Sequence, residues 1–324
     1  MDTTSSGGLD ALTMLIGRNG LILATDAARV GLQRELRREF ERKGLVRLRR
    51  GVYVLTTEWA ALGADERYLR RIRAHAAVAE GPAVYSHVSA AALWGLPIVG
   101  AWPTEVHLTA SAAAGGRSRP GVVRHSQEHS LDVMEHEGLR VTSVAATAVA
   151  MARMLRFGQA VAVMDKALHQ PRAGDALTTR EELEQAFAQL GRVPGRAAAG
   201  RALDFASPLS GSVGESISRA GIFLLGFLAP ELQVPHWDQA GLIGYSDFFW
   251  PGIRTVGEFD GHGKYLRDEF TRGRPVAGIV IAEKVREDRL RALGLGVFRW
   301  DWPIATSLEA LGALLTRNGV PRAR

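Results

Sequence analysis

Glu258 and Asp260, two apart in Gly-Glu-Phe-Asp-Gly-His-Gly-Lys (257–264), are the side chains in this chain best placed to do chemistry. Side chains alternate along a strand, so on the strand-like run 254–261 both carboxylates share a face. Asp247 sits on the preceding strand-like run and adds a third carboxylate to the same cleft. Like charges pressed together destabilise one another unless a proton or a cation intervenes. Carboxylate oxygens of this kind suit Mg²⁺ or Mn²⁺, with Asp247, Glu258 and Asp260 as the candidate donors. Such an ion orients water for attack on phosphorus and stabilises charge on the leaving oxygen. Lys264 is the candidate for a charge over the phosphate or for deprotonating the water. Glu215 is a candidate extra ligand or water holder, and Gln233 a candidate contact to water or DNA near the ion. Plainer roles exist for each. Ser212-x-x-Glu215 is a capping box, Asp247 can bond backbone at a turn, and Lys264 can be a surface lysine.

The elements around these residues read as an α/β succession from Ser207 onward. A helix covers 212–227. Strands follow over 232–238 and 245–250, separated by a turn at 240–244, and a further strand covers 254–261. Helical runs at 266–272 and 285–294 and a final strand at 295–302 complete it. "SPLSGS" (207–212) is the best domain boundary.

Composition narrows the class. The 324 residues are 46% hydrophobic and 23% charged, ordinary for a folded multidomain protein, and there is no cysteine to form disulfides or thiolate metal sites. No basic-then-apolar leader opens the chain and no run reaches membrane-span length, so a cytoplasmic protein without membrane partners is expected, with association with the nucleoid left open. The formal charge of +6 is concentrated: 33–50 holds eight basic and three acidic residues.

That basic stretch belongs to a recognisable order. Helical patterns at 8–18, at 25–31 with Thr25 or Asp26 as cap, and at 32–44 precede an alternating basic hairpin at 45–55. Leu32, Leu36 and Phe40 form a buried stripe, with Arg34, Arg38 and Arg42 on another face. Three short helices and a hairpin are the pattern of a winged helix-turn-helix, which sets its last helix in the major groove of double-stranded DNA. The DNA-binding candidates are Arg34, Arg37, Arg38 and Arg42 on the helix, and Arg47, Arg49 and Arg50 at the wing. A solvated basic face of a protein-binding module is the plainer reading.

Between these ends lies a mixed α/β stretch. Helices are expected at 65–82, 86–95, after Thr142 or Ser143, and after a capping box at Thr179 and Glu182. Strands are expected at 104–111 and 122–129. His87, His107, His125 and His129 invite a metal site, but only His125 and His129 have i, i+4 spacing, in a strand or turn, and separate hydrogen-bonding histidines are the better reading.

The C-terminal motifs "ESISRAGIFLLGF", "PELQVP", "GYSDFFWPGIRTVGEFDGHGKY" and "EKVREDRLRALGLGVFRWDW" resemble the DUF559-type domain, related to very-short-patch-repair endonucleases of the PD-(D/E)XK superfamily. "ELRREFERKGLVRLRRGVYVL", "YSHVSAAALWGLP" and "VTSVAATAVAMAR" resemble AbiEi-type antitoxins of type IV toxin–antitoxin systems. The resemblance implies an α+β multidomain chain: an N-terminal winged helix-turn-helix over 1–60, a mixed α/β middle region over 61–205, and a C-terminal α/β domain of restriction-endonuclease-like fold over 206–318. It implies Asp247 and Glu258 as the two acidic ligands, Glu215 as the helical glutamate and Gln233 as the accompanying glutamine. Asp260 stands where the motif Glu-x-Lys has lysine, leaving Lys264 as the substitute. The helix bearing Lys284, Arg286, Asp288 and Arg289 is implied to pack beside the site and bring cations to the DNA backbone. The antitoxin likeness implies operator binding and a cognate toxin; a non-catalytic regulator is therefore the alternative to a metal-dependent endonuclease.

Overall fold

Leu12, Ile22, Ala27, Leu36 and Leu45 close a small core near the N-terminus, with Leu32 and Phe40 packed against it, so the expected apolar stripe of the third helix faces inward. The computed structural model describes residues 6–17, 19–111, 118–127, 132–171, 174–261 and 276–323. It is a multidomain protein of mixed α/β secondary structure, with units Met1–Thr147 and Ala148–Arg324.

In the first unit, helices Ser6–Thr13, Ala24–Arg29 and Gln33–Glu41 precede a hairpin of β2 (Leu45–Arg49) and β3 (Val52–Leu55), joined by β1 (Ile22–Leu23) in the order β1-β3-β2. The second helix lacks the expected cap: Leu23 holds the N-cap position without a side-chain bond, and Asp26 pairs with Arg29 at 3.1 Å. Gly51, with φ of +79°, permits the hairpin turn at a backbone angle costly for other residues.

A five-stranded sheet follows in the same unit. It contains β4 (Val84–Tyr85), β5 (Val106–Ser111), β6 (Val122–Gln127), β7 (Val133–His136) and β8 (Leu139–Thr142), in the order β6-β5-β4-β8-β7. The two expected strands pair as β5 and β6, and they run parallel. A parallel neighbour requires the chain to return before it pairs. The tight turn bridging Arg119 to Val122 makes the last reversal. Helices Ala64–Ala76 and His87–Leu93 cover the sheet, burying Tyr68, Ile72, Ala90 and Leu93 against Tyr85, Val106, Leu108 and Val141.

His75 is buried there, and its Nδ1 shares a hydrogen bond with the Tyr85 hydroxyl at 3.0 Å. Burial first, then the charges of Arg49 and Arg124, lower its pKa to about 4. The unfolded imidazole takes a proton below about 6.5 while the folded one stays neutral, so this contribution is complete above 6.5 and is lost as pH falls toward 4. Stability is expected to fall by about 2–3 kcal/mol more in the wild type than in His75→Gln between pH 7 and pH 4.5. Urea melts at both pH values, with an NMR titration of His75, measure this.

The second unit opens with helices Phe157–Leu168, Arg180–Ala188 and Arg196–Phe205. Thr179 and Glu182 form the expected capping box. Asp165 has no solvent exposure and meets Arg219 of helix Val213–Leu224 through two hydrogen bonds of 2.9 Å. Its Oδ1 also accepts the Ser207 N–H at 2.7 Å, and the Arg219 guanidinium lies 4.1 Å over the Phe205 ring.

The sheet of this unit is β12-β11-β10-β9, made from β9 (Glu231–Asp238), β10 (Gly241–Trp250), β11 (Thr255–Phe259) and β12 (Gly296–Trp300). The first three strands are antiparallel, while β12 runs parallel to β11 after the crossover helix Val276–Ala292. Residues 241–244, expected as a turn, are paired strand: the register shifts between Leu242 and Gly244, and Gly244 at φ of +151° lets pairing continue through the bulge. One face of the sheet buries Phe248, Trp250, Phe259, Phe298 and Trp300 with Ile222 and Leu311. The other buries Val256 and Ile243 with Leu290 and Leu295. Gly257 is required by this packing: a Cβ there would lie 2.8 Å from Trp300 and 3.0 Å from Trp250.

Candidate functional site

Strand register brings the acidic residues together. Phe248 stands opposite Gly257, so the next pair along the antiparallel ladder sets Asp247 against Glu258 on one face. On the other side, Val234 opposite Ser246 and Leu232 opposite Phe248 put Gln233 opposite Asp247. Gln233 holds φ of +51° within its strand, a strained conformation for a residue with a side chain. Its Nε2 donates to Asp247 Oδ1 at 3.4 Å and to Glu215 Oε2 at 3.1 Å. One amide thus links the glutamate at the start of helix Val213–Leu224 to the aspartate of β10.

Glu215 fills both roles open to it. Ser212 Oγ accepts the Glu215 N–H at 3.3 Å, capping the helix. The Glu215 carboxylate accepts from Gly211 N–H and the Ser212 hydroxyl, each at 2.8 Å, as well as from Gln233. Asp247 also bonds backbone: Oδ2 accepts the Phe259 N–H at 3.0 Å. The phenyl ring of Phe259 is wedged against Gly214, where a Cβ would come within 1.9 Å of it, so the helix start and the strand end are fitted to each other.

Glu258 is 4% exposed and faces two guanidinium groups. Arg286 of helix Val276–Ala292 bonds Oε1, and Arg299, opposite Glu258 on β12, lies 2.9 Å from Oε2. Burial raises the Glu258 pKa despite both arginines, and the charge of Asp247 adds to the rise. The arginines belong to a wider network: Arg286 Nε is 3.1 Å from both Glu283 oxygens, and Arg299 Nε is 3.1 Å from Glu287. Glu283 and Glu258 hold Arg286 charged, outweighing the burial that opposes its charge.

Four expected residues, Glu215, Gln233, Asp247 and Glu258, therefore converge. Asp260 follows the end of β11; its N–H continues the ladder to the Trp300 carbonyl at 2.7 Å. Lys264 lies outside the described residues. Arg286 packs beside the site as expected, whereas Arg289 turns to Asp238 at 2.6 Å. Arg299 was not anticipated; its only sequence signal is a basic residue on an otherwise apolar last strand.

Among the described residues no group of three histidine, aspartate or glutamate side chains is arranged to hold an ion. Asp247 and Glu258 nonetheless fit a divalent cation in donor chemistry, as two carboxylates side by side on one face.

In the first unit, Arg34, Arg37, Arg38, Arg42, Arg47 and Arg50 are exposed and Arg49 is half-buried. Arg37 pairs with Glu41 at 2.9 Å, and Arg47 lies over the Phe40 ring at 5.3 Å. The histidines of this unit bond and stack. His107 Nδ1 lies 3.0 Å from His125 Nε2, and His87 stacks on His125 with centroids 3.6 Å apart. His129 lies outside the described residues. Among the described residues no helix is long and apolar enough to cross a membrane.

No protein-family model matches the chain. Two Mycobacterium tuberculosis proteins resemble it: uncharacterized protein Rv2248 of strain ATCC 25618 / H37Rv and uncharacterized protein MT2308 of strain CDC 1551 / Oshkosh. Each is 33% identical over 234 residues, covering 70% of this chain and 79% of the relative. A likeness of that identity and extent means that the chain belongs to one family with these two mycobacterial proteins.

Proposed function

We propose that the chain is a DNA-binding protein whose C-terminal unit is a phosphodiester-hydrolysing domain of the PD-(D/E)XK, restriction-endonuclease-like type. The convergence of Glu215, Gln233, Asp247 and Glu258 carries this reading. Asp247 and Glu258 would hold Mg²⁺ or Mn²⁺, which when bound would supply Lewis-acid stabilisation of the phosphate. The chain's own groups orient what surrounds them. Phe259 N–H and Gln233 fix the Asp247 carboxylate, and Glu215 fixes Gln233.

The proposed DNA contact is the exposed basic face of helix Gln33–Glu41 and the hairpin after it, read as a winged helix. Arg34→Ala and Arg38→Ala are each expected to weaken duplex binding and to lower the slope of log affinity against log salt by about 1. Fluorescence anisotropy across a salt series measures both effects.

The test of hydrolysis is incubation of the full chain with supercoiled, linear and mismatched DNA in Mg²⁺, Mn²⁺ or EDTA. Metal-dependent cleavage lost in Asp247→Ala and Glu258→Gln supports the reading. Tight binding without cleavage in every condition supports a second one: a non-catalytic operator-binding regulator of the antitoxin kind, acting in the cytoplasm with a cognate toxin. The pairing of Glu258 with Arg286 and Arg299 favours that second reading, because it neutralises the carboxylate without an ion.

A further inference from the structure

We infer that Arg286 is a displaceable cation: it holds Glu258 in the free protein and passes to a phosphate oxygen of bound nucleic acid when a divalent ion takes the carboxylate. The inference rests on the phosphodiester-site reading above and adds a group to it.

The two arginines on Glu258 are held differently. Arg299 sits within the sheet, opposite Glu258 in the ladder, and its guanidinium is also tied to Glu283 at 2.5 Å and to Glu287 at 3.1 Å. It is anchored on three carboxylates. Arg286 reaches in from a helix, and its Nε is already bonded to Glu283 one turn away. Releasing Glu258 leaves that anchor in place, so the guanidinium turns about a held point without returning to bulk solvent.

At Gly244 the Arg286 side chain lies against backbone rather than against another side chain. The Arg286 side chain passes over Gly244, where an added Cβ would lie 3.4 Å from its Cδ and 3.5 Å from its Nη1. Side-chain exposure is 21%, so Arg286 is not sealed from solvent.

Charge gives the exchange a direction. Asp247, Glu258 and Glu283 crowd the position. A hard divalent ion satisfies paired carboxylates better than a guanidinium does. A guanidinium suits the fork of a phosphate as well as that of a carboxylate. No bond is made or broken in the exchange; one ion pair replaces another.

Mn²⁺ binding to the full chain without nucleic acid, followed by electron paramagnetic resonance of the free ion, tests the displacement. Removing one competing charged hydrogen bond is expected to tighten binding about tenfold in Arg286→Gln. Arg289→Gln, whose guanidinium pairs with Asp238, serves as control and stays at the wild-type value. A folded Arg286→Gln with unchanged Mn²⁺ affinity overturns the inference. So does an Arg286 Nε–H NMR signal in the wild type that stays fixed under saturating Mg²⁺, a measurement that needs no variant. Where the wild type cleaves DNA, Arg286→Gln is expected to lower kcat about 100-fold with little change in KM, and Arg286→Lys to restore most of it. An unaltered kcat overturns the inference. Tightened Mn²⁺ binding in Arg286→Gln, with no cleavage by the wild type, sinks the hydrolytic reading alone and leaves the displacement standing.

Discussion

Replacing Asp165 by alanine is expected to destabilise the unit Ala148–Arg324 by about 3–5 kcal/mol, the cost of leaving a buried charge without its partner. Asp165 has no exposed surface and Arg219 is 9% exposed, so water cannot replace the lost carboxylate. The change also strands the Ser207 N–H, which donates to Asp165 at 2.7 Å. Asp165→Asn keeps an acceptor for Ser207 but leaves the guanidinium charge unpaired, and falls between alanine and wild type. The double change Asp165→Leu with Arg219→Met removes both charges together and is expected to recover much of the loss. Urea denaturation of the wild type, Asp165→Leu, Arg219→Met and the double variant gives the coupling. A single-residue loss below about 1 kcal/mol would show that the pair is solvated.

On the hydrolytic reading proposed above, Glu258→Ala is expected to act twice: it abolishes metal-dependent cleavage and destabilises the second unit by about 3 kcal/mol. The stability loss follows from Arg286 and Arg299, at 21% and 25% side-chain exposure, losing a shared carboxylate. Both keep Glu283, and Arg299 keeps Glu287, which places the cost at the lower end of the range for broken buried pairs. Loss of cleavage in Glu258→Ala therefore does not by itself indicate chemistry. Glu258→Gln retains the shape and an acceptor oxygen, so cleavage lost with a melting temperature near wild type isolates the carboxylate charge. Equal loss of cleavage and folding in both variants would make Glu258 a structural residue only.

Local pattern was enough for much of both units. The Glu-Phe run alternates as a strand, Ser212 and Thr179 cap the helices they precede, and Leu36 points into its core. The convergence of Glu215, Gln233, Asp247 and Glu258 could be inferred because three lie on consecutive strands and the fourth begins the helix before them. The ion pairs could not. Asp165 meets Arg219 across the packing of two helices, and Arg286 meets Glu258 only after the crossover helix folds back over the sheet. The bulge at Gly244 was read as a turn because glycine carries the same local signal in both. The parallel partner of β5 was equally hidden, since alternation fixes the faces of a strand but not its direction.

The parallel placement of β12 also has a consequence during synthesis. β9, β10 and β11 are successive and antiparallel, so Gln233, Asp247 and Glu258 can be assembled while the chain is still emerging from the ribosome. Arg299 is made only after the crossover helix, about 2–8 s later at ordinary elongation rates. During that interval Glu258 lacks its sheet-borne counter-charge, and Trp300 is missing from the aromatic core. A chain interrupted before Gly296 thus carries the acidic half of the site on an open strand edge, and the last strand translated both closes the sheet and neutralises the acid beside it.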